Sequence, residues 1–533
     1  MKRRTTARSV VRLAVPTILL ASIVSFAGLS AQSAKPPVKA DAKPAVKPSA
    51  TVAPVYKAPK AAGVRMKFQD FIKDQHRLDS LIKAVGVMKD RSKATPDSAG
   101  YRTSWEYWAA MHGFFGPGAK AGLLQTAINA APANKKQFFD GLHDLTYPAT
   151  PAGLAQQVWD KCTHSGAQVN LQFLTWHRVY LFYFEKVLQE SAHDASLRLP
   201  YWDYTDPAQV QLPAAFAKET LSDGKPNPLY DKRRRSQTVK LDPDITNIDT
   251  LLTEAAYDDF GPTLEQQPHG TTHCAVGPDC PYPLMGKVAV AGNDPIFWLH
   301  HANIDRIFEC WLQLGGKVPD EYLIKEYLFL DAAGNLVKNS VKNLPIDYHY
   351  DHVTSCGRKA TQKFKPSLEA VPEEPVAKVQ SFAINDATAA VKIAVPKTGA
   401  PIEHLKRSLA SAESVTSSSR TELALTNIEV PQDPGTLINI YLSTTGDHPR
   451  RQYVATLSFF GIEHHAGSII NRKVDVTSAL KALKGASADL PEIQVVFEAS
   501  DGTQGSKIET VGPLFNRQSG LKVGTIELRV KGK

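Results

Sequence analysis

The sequence predicts a mainly α-helical domain followed by an all-β sandwich. Up to about residue 315 the apolar residues recur at helical spacing, in segments such as "FIKDQHRLDSLIKAVGVMKD" and "WHRVYLFYFEKVLQESA", with Pro/Gly-rich loops between them. After about residue 377 the pattern becomes short alternating β-rich runs separated by turn residues. Between the two halves, "KFKPSLEAVPEEPVAK" carries three prolines and reads as a linker.

Taken in order, residues 1–33 read as an export signal. "MKRRTTARSVVR" is basic, "LAVPTILLASIVSFAGL" is apolar, and "SAQSA" offers small residues for cleavage. That apolar run contains Pro16 and is shorter than a comfortable membrane span, so no membrane association is expected once the signal is removed. Arg3-Arg4 leaves both the general and the twin-arginine export routes open, and the expected destination is the periplasm or the outside of the cell. Residues 34–64 form a Pro/Ala/Lys spacer too poor in apolar side chains to fold, so order is expected from Arg65. The helical domain is assigned to 65–318. Its segments include "SWEYWAAMHG" and "DPIFWLHHANIDRIFECWLQ", the latter with Asp294 as N-cap and Pro295 in the first turn. Residues 319–376 are read as a hairpin around an Ala-Gly-Asn turn plus the linker, with 362–376 exposed to proteolysis. Seven strand-like runs fill 377–531 and predict the sandwich.

The 533 residues exceed what one core usually organises. The net charge of +9 comes from the terminus: residues 1–62 hold eleven Lys/Arg against one Asp, and the remainder holds 51 basic against 52 acidic residues. A near-neutral folded part argues against nucleic-acid binding. Five cysteines are an odd number for an exported chain. Cys274 and Cys280 are placed to close a small disulfide, and Cys310 and Cys356 are candidates for a second, a pairing that sequence alone leaves open. Cys162, two residues before His164, would be left over.

Histidine position says more than histidine number. His269 and His273 in "PHGTTH" fall on one helical face, and His300-His301 opens "HHANIDR", with Asp305 one turn beyond His301 and placed to hold it. Upstream, His112, His164 and His177 make a matching cluster. Neutral imidazoles in such numbers point to a transition metal, with Cu, Zn, Fe and Ni all compatible. "HGTTH" lacks the glutamate of HExxH, which argues against a zinc peptidase.

"CTH…FLTWHRVYLFYFE…LPYWDY" followed by "PHGTTH…DPIFWLHHANIDR" resembles the tyrosinase and catechol oxidase family of type 3 copper proteins over about residues 65–315. The linker and the segment "LALTNIEVPQDPGTLINIYLS" are similar to the C-terminal part of plant-type polyphenol oxidases. The resemblance implies a helix bundle around two copper ions. One would be held by His112, His164 and His177, and the other by His269, His273 and His301, with Phe297 beside them and His300 pointing elsewhere. It implies O2 and small phenols as reactants, and a C-terminal domain that keeps the enzyme latent until a protease removes it. Phe459 or Phe460 is the candidate plug.

The same resemblance gives Glu265 the role of accepting a phenolic proton, directly or through water. Gly270, where stronger monophenol hydroxylases carry asparagine, favours o-diphenol oxidation. Val288, where many plant enzymes carry phenylalanine, opens the pocket and points the other way. The balance favours catechol oxidation with weak monophenol hydroxylation. An o-aminophenol oxidase and a haemocyanin-like O2 carrier are the competing readings, and a zinc hydrolase is a remoter one. "CTH" also matches family members in which the cysteine is bonded through sulfur to the histidine ring, here Cys162–His164. The family usually spaces its second and third ligands nine residues apart. His164 and His177 are thirteen apart with Gln168 at the usual position, which reads as a four-residue insertion.

Overall fold

Asp74 starts the first long helix, α1 (Gln75–Arg91), by accepting the His76 amide at 3.1 Å. Sequence periodicity carries this helix back to Phe71; instead Phe68–Phe71 forms a separate turn, and the cap sets the break. Leu81, Val85 and Met88 of α1 are buried, with Leu78 and Ile82 half-buried beside them. Ser104 caps α2 (Trp105–His112), and α3 (Phe173–Ala192) ends where His193 turns left-handed. Two short helices follow, α4 (Thr271–Val276) and α5 (Val288–Ala291), and then α6 (Ile296–Gln313), whose Ile296 amide donates to Asp294 as expected. Trp105, Trp108, Trp176 and Trp298 from three of these helices pack in one core.

The computed structural model describes residues 63–114, 129, 136, 151–163, 171–280, 282, 284–353, 373–410, 420–462, 469–485 and 490–531, all within a unit spanning 58–533. Residues 1–62, read as export signal and spacer, and residues 354–372 of the expected linker lie outside them. The described residues start two before Arg65, where β1 (Gly63–Arg65) pairs in parallel with β4 (Tyr348–Tyr350). The hairpin β2 (Tyr327–Leu330) and β3 (Leu336–Asn339) closes on Asp331.

In the C-terminal half, β5 (Glu373–Ala383), β7 (Arg420–Glu429), β10 (Ile469–Asp475) and β12 (Lys522–Lys531) form one antiparallel sheet, ordered β10-β7-β12-β5. The other sheet contains β6 (Thr388–Ile393), β8 (Leu437–Thr444), β9 (Arg451–Leu457) and β11 (Ile493–Ser500), ordered β6-β11-β8-β9. Leu423, Leu425 and Leu528 meet Ile440, Leu442 and Phe497 in a shared core. The described strands number eight rather than seven. β10 reads "IINRKVD", and its polar residues hide the alternation because Arg472 faces the helical half. Helices α7 (Ala400–Ala410) and α8 (Thr477–Lys484) are also unforeseen, and bury Leu405 and Leu480 on the sandwich.

The two halves meet along β9 and β10. The Thr456 amide donates to Gln267 Oε1 at 3.1 Å, the Arg472 guanidinium to the same oxygen at 3.3 Å, and Arg420 pairs with Glu254 at 3.1 Å. Gln267 thus satisfies an amide of an edge strand that would otherwise be an open pairing site.

Asp305 sits elsewhere than expected. Its carboxylate is gripped by Arg178 at 2.7 Å and by the Tyr350 and Tyr348 hydroxyls at 2.8 and 3.1 Å, with Arg65 at 3.5 Å; it makes no hydrogen bond to the His301 imidazole. Arg65 and Arg178 are buried cations, and Glu185 holds Arg65 at 2.8 Å, so this carboxylate neutralises the junction of β1, β4, α3 and α6. Asp305→Ala should therefore destabilise the protein by about 3–5 kcal/mol, because it breaks a buried ion pair with Arg178 and leaves the Tyr348 and Tyr350 hydroxyls without their acceptor. Denaturant unfolding of the two proteins measures this, and a loss under about 1 kcal/mol would contradict it.

Candidate metal centre

Five imidazoles of the predicted set converge in the helical half: His112 at the end of α2, His177 in α3, His269 just before α4, His273 in α4 and His301 in α6. All five are buried. Four of them place Nδ1 against a backbone carbonyl: His177 on Phe173 at 2.8 Å, His269 on Glu265 at 3.0 Å, His273 on Met285 at 2.8 Å and His112 on Val288 at 3.2 Å. A carbonyl oxygen only accepts, so each Nδ1 carries the proton and each Nε2 presents a lone pair. His177 and His269 find their carbonyls four residues back. His273 uses the loop between α4 and α5, and His112 uses the first residue of α5.

The Nε2 atoms face a common space. The His273 and His301 Nε2 atoms are 3.2 Å apart, and the His177 and His301 rings stack with centroids 4.5 Å apart. Two groups have potential ligand atoms all within 4.8 Å of one another: His112, His177 and His301, and His269, His273, His300 and His301. His301 belongs to both, where the resemblance gives it to the second metal alone. Burial, followed by the neighbouring histidines, pushes the His301 imidazolium well below its usual pKa, and burial with His269 and His177 does the same for His300. Neutral nitrogens with fixed lone pairs, close enough to share ions, are the donor set a copper pair requires.

His300 does not point away. Its Nδ1 lies 2.8 Å from the Tyr204 hydroxyl and its ring stacks on His269 at 5.4 Å. The rotation of about 100° between adjacent helix residues turns it towards α4, which runs alongside, rather than to solvent. The adjacent His-His pair was the signal for it. Phe297 is wedged between His112 and His301, with centroids 4.7 and 4.2 Å away. Phe173, unforeseen, bridges His177 and His269 at 4.4 and 4.6 Å.

His164 lies outside the described residues, and with it the Cys162–His164 thioether. Cys162 enters no disulfide; its sulfur lies 3.5 Å from His177 Nε2, and burial, then Glu265 and Asp160, push its thiol pKa up. Cys274–Cys280 is a disulfide. Cys310 is also disulfide-bonded, and Cys356 lies outside the described residues. Glu265 is buried four residues before His269.

The C-terminal half lies directly on this centre. Phe460 stacks on the His273 ring at 3.9 Å with planes 9° apart, and meets His269 edge-on at 5.6 Å. A Cβ on Gly270 would stand 2.5 Å from Ser458 Oγ, and a Cβ on Gly461 would stand 3.3 Å from Val288. Phe459, the other candidate plug, is instead buried in the sandwich core.

A helical core lined with carbonyl-oriented imidazoles fits a type 3 copper centre. Residues 102–239 and 213–314 match the common central domain of tyrosinase, a family whose cofactor is a pair of copper ions. Tyrosinase HcTyr1 of Hahella sp. (strain CCB-MM4) is 26% identical over 451 residues, covering 75% of this chain and 88% of that protein. The chloroplastic polyphenol oxidase of Malus domestica is 31% identical over 213 residues, covering 32% of this chain and 35% of the relative. The chain spans about half the length of the tomato chloroplastic polyphenol oxidases it matches. Among solved structures, latent apple tyrosinase aligns with a TM-score of 0.54 at 20% identity, over 89% of this chain and 98% of that one. Latent aurone synthase aligns with a TM-score of 0.56 at 17% identity, over 90% of this chain and 91% of that one. These two share the fold of a helical core with a C-terminal β domain.

His273→Ala removes one lone pair and the imidazole that stacks on Phe460. It should lower tightly bound copper from two ions to one per chain. Metal analysis after dialysis, with circular dichroism to verify folding, tests this; two retained ions would contradict it.

Proposed function

We propose that this protein oxidises o-diphenols to o-quinones with O2, hydroxylates monophenols weakly, and is held latent by its C-terminal half. The observation that carries the reading is the set of buried imidazoles whose Nε2 lone pairs face one space inside a tyrosinase domain. The resemblance adds His164 to His112 and His177 at one copper, opposite His269, His273 and His301 at the other. Two coppers held there supply O2 binding and the transfer of electrons from the phenol. The chain's own residues do the rest. Phe173 and Phe297 exclude water around the rings, and Glu265 takes the phenolic proton at its carboxylate. Two catechols and one O2 balance as two quinones and two waters.

Substrate preference follows from the face now covered. Gly270 offers no side chain to orient a water beside His269, which supports diphenol oxidation over hydroxylation. Val288 leaves room for a ring above His112. Phe460 occupies the place where that ring would stack on His273, so phenol and Phe460 compete. The expected linker overlaps β5, whose Glu373 to Pro375 pair with β12, so the cleavage that would allow the C-terminal half to leave is placed within 362–372. The N-terminal signal supports export before that step.

Phe460→Ala in the full-length protein should raise kcat/KM on catechol roughly two- to tenfold, since the lost ring contact is worth about 0.5–1.5 kcal/mol. Removal of the C-terminal half should raise it further. Copper-loaded protein assayed on paired monophenols, diphenols and o-aminophenols reads both claims. Unchanged rates in both proteins would overturn latency, a faster o-aminophenol would overturn the substrate assignment, and reversible O2 binding without turnover would overturn the enzyme.

A further inference from the structure

The loop between α4 and α5, together with the first residue of α5, contributes two of the four carbonyls that orient the imidazoles, one for each half of the centre. Met285 accepts from His273 at 2.8 Å and Val288 from His112 at 3.2 Å. Both carbonyls belong to one short piece of backbone, so a shift of this loop rotates a ligand of each copper at once.

The loop is built to resist that shift. Its two necks touch: a Cβ on Gly286 would stand 2.2 Å from the Asp279 carbonyl and one on Gly277 would stand 2.5 Å from the Gly286 amide, so neither position admits a side chain. Cys274, next to His273, is bonded to Cys280 inside the loop. Arg235 clamps the same turn from outside. Its guanidinium pairs with Asp279 and donates to the Ala275 carbonyl at 3.0 Å and the Cys274 carbonyl at 3.3 Å. At the far end, a Cβ on Gly113 would stand 2.6 Å from the Val288 carbonyl, so the close approach of α2 to α5 seats His112 on its acceptor. Arg235 also reaches Asp501 of the C-terminal half at 3.4 Å.

We infer that this loop, locked by the Cys274–Cys280 disulfide and the Arg235–Asp279 pair, is the positioning element that sets His273 and His112 together for the two coppers. Arg235 and the disulfide are positioning residues: they touch neither copper nor phenol, and act through the Met285 and Val288 carbonyls. The inference rests on the dicopper reading above and extends it to residues outside the ligand set. Groups that orient a metal-binding histidine through its second nitrogen typically change metal affinity by about 10–100-fold.

Three full-length proteins test it: wild type, the double variant Cys274→Ser with Cys280→Ser, and Arg235→Gln, which keeps the disulfide. Copper retention is measured by competition with a chelator, at a temperature below the unfolding midpoint of every metal-free protein. Both variants should lose copper at chelator concentrations about tenfold lower than wild type. In copper-saturated protein, kcat on catechol should fall while KM stays within about twofold. A loop that merely stabilises the fold would lower the metal-free unfolding midpoint and leave retention and kcat at wild-type values; that result overturns the inference. Wild type that fails to hold two coppers would overturn the dicopper reading and this inference with it. Two coppers held equally well in all three proteins would overturn the loop's role alone.

Discussion

The hydrogen bond from a histidine Nδ1 to a backbone carbonyl is the interaction on which the centre depends. An imidazole alone is free to choose its tautomer and to rotate about two bonds; a carbonyl facing Nδ1 removes both freedoms. His177 and His269 obtain their acceptors from the preceding helical turn, so forming the helix is enough to aim them. His112 obtains its acceptor from the distant start of α5 and His273 from the loop that follows α4, so aiming them requires more than their own helical turn. Burial and the neighbouring histidines lower the His301 and His300 pKa and so favour the neutral form of these two rings. The metal site is thereby largely prepared by the apoprotein, and little reorganisation is left to oppose binding.

The same segment that aims His269 also receives the C-terminal half. Gln266 and Gln267 sit immediately before Pro268-His269, and their side-chain oxygens accept the Ser458 and Thr456 amides. Strand β9 leaves its sheet after Leu457, and the next four residues, Ser458 to Gly461, lie over Gly270, His273 and Val288. The edge strand and the covering segment are consecutive, so docking the sandwich on Gln267 and placing Phe460 over the histidines are one geometric event. The half-buried Arg420–Glu254 pair and Arg472 on Gln267 fix the angle of approach.

Much of this was legible in the residues. The long helices follow from apolar spacing and local caps, and five of the six proposed ligands converge because they lie on faces that the period defines. What escaped has physical causes. β10 carries Asn471, Arg472 and Lys473 because its outward side meets the other half of the protein, so alternation fails there. Asp305 is one turn from His301, yet it serves Arg178 and Arg65, since two buried cations attract a carboxylate more strongly than a neutral imidazole does. The carbonyls of Met285 and Val288 have no side-chain signature at all. His300 was visible as half of a pair, but its direction depends on how α4 packs against α6.

X-ray absorption at the copper edge of the full-length, copper-loaded protein tests the central claim most directly. Two copper ions per chain, each surrounded by imidazole nitrogen and close enough to show a copper–copper contribution, is the predicted result. A single isolated copper, or a sulfur ligand from Cys162 at the expense of histidine, would contradict the account.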